Sequence, residues 1–479
     1  MRAYTTALLI ALFLGAGPST LAFDTGYHLD LTAAVMRENG FGETSIKAVQ
    51  VSNWLTDYYS VSPTSRDAVQ DELGKLHFDN LYDKQQVSNY WGWLLHDTKS
   101  TLVQAAESDD PETSLAVLGL FLHAVQDFYS HSNWVETHPR ADGAAYRRET
   151  WLADGFPEDG ELFTGSYPPH PSPPPPGFPK HGDYDSGMNK DSFIRPLWEE
   201  AYVFAYCASH EVLELVHQWV EQARPGFWQA LQDLQLEQAE QKRLDDDLEA
   251  TRKLSLWVKG KGSDGHWKGN ESGSVRYMSK LTMEWAPSRA STFVLKIKKG
   301  RIHESLTSHL YSSEPPPELP EVRPFDGERR VILVRTTHVE ETRGGGGRID
   351  STSKADLYQI VQIGEQRYID RTLRKKRRYD DPWLTLHLAE ANETEIPILI
   401  DVWDEDPAAP GKKDLCDINP EGGRQGLSLW LRVQNDELTG DVEGCHNTAE
   451  STFEVSGQKP DKHLVSIRGY VATRELRAR

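Results

Sequence analysis

The sequence predicts a multidomain α + β protein: an all-α N-terminal domain, then a β-rich region, then a β-sandwich at the C-terminal end. Apolar residues follow a helical period from Phe23 to about Lys253, and short alternating runs replace it from about residue 254. A proline-rich run, SEPPPELPEVRPFDG, then sets the last group of alternating runs apart as a linker. The boundaries are 1–22 for a targeting segment, 23–253 for the helical domain, 254–326 for the β-rich region and linker, and 327–479 for the sandwich.

Each element has its own local reason. Arg2, the apolar run TALLIALFLGAG and the small residues STLA read as a cleaved signal peptide ending at Ala22, so the mature chain would begin at Phe23. The expected location is therefore secreted or periplasmic. HLDLTAAVMRENG has helical spacing and a glycine stop, TSLAVLGLFLHAVQDFYSHSNW reads as a long buried helix, and WEEAYVFAYCASHEVLELVHQWVEQA as another. The polar stretch QDLQLEQAEQKRLDDDLEATRKL continues as an exposed helix. SYPPHPSPPPPGFPKHGDYDSG cannot be helix or strand through its prolines; it is either a surface excursion, the reading favoured for the prolines themselves, or a loop over a site. Beyond it, KLSLWVKG, VRYMSKLTMEW and STFVLKIKKGRI read as strands. RRVILVRTTHVEE, ADLYQIVQI, WLTLHLAE, EIPILIDVWDED, LSLWLRVQ and HLVSIRGYVAT supply the strands of the sandwich.

A formal net charge of −21 argues against a general polyanion binder and suits bound cations. Three cysteines make no disulfide scaffold; Cys416 and Cys445 can pair in an oxidising compartment or remain thiols, with Cys207 in an apolar helical segment.

The segment FLHAVQDFYSHSNWVETH concentrates ionisable residues in an apolar setting. His123, Asp127 and His131 fall at i, i+4 and i+8, which places them on one helical face. Either they hydrogen-bond and pair with a base, or they hold a cation; imidazole and carboxylate suit zinc. Singly, His28, Asp57 and His77 read as core or capping residues; together with the helix they add ligands enough for two or three metal ions, with His131 directed to a second ion a turn away. Closely spaced metals joined by a bridging carboxylate suit phosphoester hydrolysis.

FLHAVQDFYSHSNWVE, preceded by HLDLT and LHFDN and followed by HGDYDSGMNKDS, resembles the HET-C (heterokaryon incompatibility) family. It also resembles the N-terminal module of some von Willebrand A-domain proteins. That group is similar in turn to the zinc-dependent phospholipases C and single-strand-specific zinc nucleases. The resemblance covers roughly residues 23–220 and implies an all-helical domain with up to three zinc ions. It implies that Asp57, His77, His123 and Asp127 surround one zinc. Asp127 would bridge to a second, held by His28 and the new N-terminus at Phe23, and Asp57 would orient or deprotonate the attacking water. His131 would belong to a third metal, for which Glu136, His138, His181 and Glu200 are the remaining candidates; His181 has the best family context, and Glu200 sits on a following helix. The chain departs from the phospholipases in beginning with Phe23 in place of tryptophan, in the closer spacing of His131 to Asp127, and in lacking their second HxxxE pair.

In the C-terminal part, DSTSKADLYQIVQI and DVWDEDPAAPGKKDLCDI each place carboxylates in a loop beside a strand. These are calcium-binding loops or solvated acidic loops. The order of strands, the Asp350/Asp356 spacing and the WDED loop resemble a C2 domain over roughly residues 327–476. The resemblance implies that Asp350, Asp356, Asp404, Asp406 and Asp414 hold Ca²⁺, with Asp401 a weaker candidate. Between these loops Arg374, Lys375, Lys376, Arg377 and Arg378 form a basic run. It either faces anionic lipid headgroups, at about 1 kcal/mol per residue, or protects an edge strand from aggregation.

Together these readings lead to an exported zinc-dependent phospholipase C that hydrolyses the glycerol–phosphate bond of phospholipids and is peripherally membrane-bound through calcium. No nucleic acid is expected as a partner. The alternatives are a zinc nuclease, against which the acidic charge counts, and a non-catalytic membrane adaptor.

Overall fold

The computed structural model describes residues 25–61, 67–137, 161–167, 173–181, 188–191, 195–261, 287, 291–318, 329–341, 356–370, 378–390, 392–405, 413–421, 425–459 and 463–476. The chain divides into two compact units, residues 1–139 with 149–324 and residues 140–148 with 325–479.

The first unit is helical: α1 (Thr25–Glu38), α2 (Glu43–Val61), α3 (Asp67–Gly74), a 3₁₀ turn (Lys75–His77), α4 (Lys84–Glu107), α5 (Pro111–His131), α6 (Trp134–Thr137), α7 (Trp198–Ala223), α8 (Phe227–Gln232), α9 (Gln238–Lys261), α10 (Thr292–Lys299) and α11 (Ile302–Thr307). Its centre is α5, in which every residue from Ser114 to His131 is buried. A helix buried on all sides must supply partners for any polar group it carries. Asp110 caps its first turn by accepting the Thr113 N–H at 3.0 Å, and Pro111 sits where no hydrogen-bond donor is needed. Helices α2, α4 and α7 pack around it. Gly119 lets α2 come close: a Cβ there would lie 2.5 Å from Ser52 Cβ and 2.8 Å from the Asn53 nitrogen. That close approach brings Asn53 and Asp57 of α2 beside His123 of α5.

Part of the β-rich region expected at 254–326 is helical. KLSLWVKG lies in α9, and STFVLKIKKGRI contains α10 and the start of α11, while VRYMSKLTMEW lies outside the described residues. In α10 the buried residues are Phe293, Val294 and Ile297, one helical face. Phe293, Leu295 and Ile297 also alternate, so eight residues of pattern fit both periods and packing on α2 and α5 decides.

The second unit holds two antiparallel sheets. One has the order β10 (Phe453–Ser456), β11 (Val465–Leu476), β1 (Arg329–Glu341), β4 (Arg378–Glu390). The other runs β3 (Gln366–Ile369), β2 (Leu357–Ile363), β5 (Glu395–Glu405), β7 (Leu427–Arg432), β8 (Glu437–Gly440), β9 (Gly444–Cys445), with β6 (Lys413–Leu415) also on β5. Strand β7 alternates buried Leu427, Leu429 and Leu431 with outward Ser428, Trp430 and Arg432, as a sheet with one core face requires. The Cys416–Cys445 pair does not form. Cys416 is buried where its N–H donates to Val402 O, whereas Cys445 is exposed on the short strand β9. No helix among the described residues is long and apolar enough to cross a membrane.

Candidate metal centre

Asp127 is wholly buried on α5 and its two carboxylate oxygens face different partners. Oδ1 lies 3.0 Å from His28 Nε2 of α1, while Oδ2 lies 2.9 Å from His77 Nδ1 and 3.0 Å from His123 Nε2. A carboxylate divided in this way has the geometry of a bridge. Three groups of side chains bring their ligand atoms within 4.8 Å of one another: His28 with His123 and Asp127; Asp57 with His77 and His123; and Asp79 with His131 and His181. All are buried in the helical unit.

The first two groups contain residues legible in the sequence. Asp57 Oδ1 lies 3.8 Å from His123 Nε2, and His77 Nδ1 lies 3.1 Å from the same nitrogen. In the third group His131 and His181 were expected and Asp79 was not. His181 ends the proline-bearing segment, whose Pro173–Pro176 are exposed as read from the sequence. Its backbone is held by Ser166 O at 2.9 Å, and the ring reaches Asp79 Oδ1 at 2.5 Å. Glu200 does not take part: it lies in the first turn of α7, half-buried, and belongs to none of the three groups. Glu136 is engaged elsewhere, 2.9 Å from Lys190 Nζ. Phe23 and His138 lie outside the described residues.

Asp79 enters through an uncommon backbone. Phe78 (φ 52°) and Asn80 (φ 62°), on either side of it, are both left-handed, a conformation that costs a non-glycine residue about 1–2 kcal/mol. The turn sends His77 to the second group and Asp79 to the third. His131 is tied to it as well, with Nδ1 2.8 Å from His77 O. On the far side of His131, Asp191 Oδ1 lies 3.0 Å from Nε2 and accepts from the Ser130 hydroxyl at 2.6 Å. The Tyr311 hydroxyl donates to Asp79 O at 2.7 Å, so the segment after α11 packs beside this group. Sequence reasoning missed Asp79 and Asp191, although LHFDN and HGDYDSGMNKDS contain them; for Asp79 the one local signal was its place two residues after a candidate histidine.

Electrostatically the centre calls for positive charge. Burial works against a charged His131, yet Asp191, Asp127 and Asp79 overcome it and push the ring up to about 10. Burial, together with the neighbouring His28 and His77, pulls His123 down to about 3 against the pull of Asp127. Burial also opposes ionisation of Asp127, but His123, His131 and His28 hold its carboxyl well below the usual range. Lys190, itself buried, donates to Ser132 O at 3.0 Å; burial lowers its pKa against Glu136 and Asp191.

In the β unit, the structure brings Asp356, Asp404 and Asp414 to one end of the second sheet. Leu357 pairs with Asp404, Asp404 pairs with Asp414, and the Asp356 N–H donates to Asp404 Oδ1 at 2.8 Å. Among the described residues they form no three-ligand group like those of the helical unit. Asp350 and Asp406 lie outside the described residues, as do Arg374, Lys375, Lys376 and Arg377. Arg378 opens β4 with an exposed side chain 3.6 Å from Asp380.

A family model, the VWA7 N-terminal domain, matches residues 43–142. This corrects the resemblance drawn from the sequence: the family matched is neither HET-C nor the zinc-dependent phospholipases C. The match contains Asp57, His77, Asp79, His123, Asp127 and His131, and leaves His28, His181 and Asp191 outside it. No curated protein matches the chain. Among solved structures, human GIVD cytosolic phospholipase A2 is similar at 13% identity and a TM-score of 0.20, covering 31% of this chain and 16% of that one. A C2 domain of plant Extended Synaptotagmin 1 is similar at 10% identity and 0.21, over 30% of this chain and 93% of that one. A C2 domain protein from Ramazzottius varieornatus is similar at 10% and 0.20, over 30% and 89%.

Proposed function

We propose that the helical unit is a zinc-dependent phosphodiester hydrolase of the phospholipase C type, and that the β unit brings it to a phospholipid surface with calcium. The observation that supports this best is the buried convergence of three imidazole–carboxylate groups around α5, with Asp127 divided between the first two. The donor set fits zinc, which takes imidazole nitrogen and carboxylate oxygen. The negative potential that raises His131 is one a bound cation would satisfy. Zinc held there would supply Lewis acidity, lowering the pKa of water and offsetting charge on phosphate oxygens.

The chain's own residues have distinct parts in this reading. His28, His123 and Asp127 form the first set, Asp57 and His77 complete a second around the shared His123, and Asp79, His131 and His181 form the third. Because His123 presents one Nε2 to both of the first two sets, Asp127 is the residue able to serve both at once. Asp57 orients the attacking water and holds its proton on the carboxylate. For the β unit, Asp356, Asp404 and Asp414 supply oxygen ligands from one end of the sheet.

Asp127→Asn tests the reading. The variant should lose release of phosphorylated headgroup from phosphatidylcholine vesicles by at least about 100-fold and bind less zinc, while vesicle binding persists. Undiminished turnover would remove the bridging role. Hydrolysis of single-stranded DNA with no action on lipid would replace the substrate, and an inert, zinc-free protein that still binds vesicles would be an adaptor.

A further inference from the structure

Behind the first group lies a chain of polar side chains that no metal would touch. Gln126 and Asn53 are wholly buried, one on α5 next to Asp127 and the other on α2 a turn before Asp57. Gln126 Oε1 is 2.7 Å from His28 Nδ1 and 3.1 Å from Asn53 Nδ2. Asn53 Oδ1 is 3.1 Å from His123 Nδ1.

The direction of these bonds can be read from the far end. The Ser209 hydroxyl donates its one proton to Ala205 O at 2.7 Å, so at 3.2 Å from Gln126 Nε2 it accepts. This turns the amide nitrogen of Gln126 toward Ser209 and its oxygen toward His28. That oxygen also accepts from Asn53 Nδ2, which turns the Asn53 oxygen toward His123. An amide oxygen only accepts, so both rings must carry a proton on Nδ1. Their Nε2 atoms are the ones that face Asp127, each 3.0 Å from a carboxylate oxygen.

We infer that Gln126 and Asn53 are positioning residues that keep a proton on Nδ1 of His28 and His123, so that Nε2, beside Asp127, is the nitrogen each ring offers a divalent cation. The role rests on the metal reading; the proton on Nδ1 does not. A metal-bound histidine usually has its second nitrogen held by an oxygen acceptor. Here one connected amide network serves two rings on different helices and ends on the backbone of α7. Neutral acceptors also leave the group without a further buried negative charge beside Asp127.

The test is the nitrogen NMR spectrum of the full chain with ¹⁵N-labelled histidine, freed of metal by chelation, at mildly alkaline pH where an ordinary imidazole is neutral. The two rings are assigned by loss of their signals in His28→Asn and His123→Asn. Both should show a protonated Nδ1. A bare Nδ1 in either ring would overturn the inference. Zinc affinity, measured by competition with a chromophoric chelator, supplies the second arm. Gln126→Met removes the acceptor for His28 and should weaken zinc binding by about 10–100-fold; unchanged affinity in the folded variant would deny it the positioning role. Should that variant fail to fold, the spectrum of the unsubstituted protein still decides. A protonated Nδ1 in both rings of a protein that takes up no zinc would leave the amide network standing and overturn the metal reading.

Discussion

At the scale of single residues, the site depends on a backbone that few side chains tolerate. Phe78 is left-handed and fully buried, its ring centroid 4.2 Å from that of Tyr90 and 4.7 Å from that of Trp91. Aromatic packing holds the ring, and the turn it imposes separates His77 from Asp79. Truncation to alanine removes the packing at about 3–5 kcal/mol and keeps the left-handed strain. Glycine loses as much packing but relieves the strain, which favours it by about 1 kcal/mol. Chemical denaturation should therefore find Phe78→Gly more stable than Phe78→Ala, and the reverse order would show that the turn carries no strain. Of the site residues, His28, Asp57, His77, His123, Asp127, His131 and His181 were legible because imidazole or carboxylate in an apolar run demands a partner. Asp79 and Asp191 were not, because acidic residues in polar loops are ordinary until a fold buries them. Asn53 and Gln126 carry no charge and left no signal of that kind.

At the scale of elements, most of α5 was legible from its apolar period, and in the structure Asp110 and Pro111 fix its start. The eight residues of α10 were not, for their pattern fits strand and helix alike. The two elements meet at Asp110. Burial disfavours its charge, but the Lys296 ammonium at 2.8 Å and bonds from Thr113 more than offset this, and its pKa falls below the ordinary 3.8. A carboxyl with a depressed folded-state pKa stabilises the fold above its unfolded value, and that contribution is lost as pH falls through the folded-state value. Asp110→Asn keeps a capping side chain and removes the charge. Denaturation near neutral pH should show it weaker by about 0.5–1 kcal/mol, the exposed pair being screened by solvent. The gap should close below the ordinary carboxylate range, and a constant gap would assign the loss to the cap alone.

At the scale of the whole molecule, the sequence pattern separated a helical part from a sandwich, and the structure has a helical unit and a unit of two antiparallel sheets. Strands β1, β2, β4, β5, β7 and β11 were readable because each contains a run of alternating or continuous apolar residues. Strands β3, β6, β8, β9 and β10 have two to four residues each, too few to show a period. If the two units divide the work as proposed, their metals separate. Asp404→Asn combined with Asp406→Asn should weaken calcium-dependent vesicle binding and spare hydrolysis of a short-chain soluble phospholipid. Calcium-dependent binding that survives both changes would remove the acidic loops from the membrane role.

The central claim is that the buried groups around α5 hold zinc. Elemental analysis of the purified full chain, after dialysis against metal-free buffer, tests it most directly. The account predicts stoichiometric zinc, up to one ion for each of the three groups, reduced in Asp127→Asn. A correctly folded chain with no zinc above background, and none taken up on titration, would contradict it.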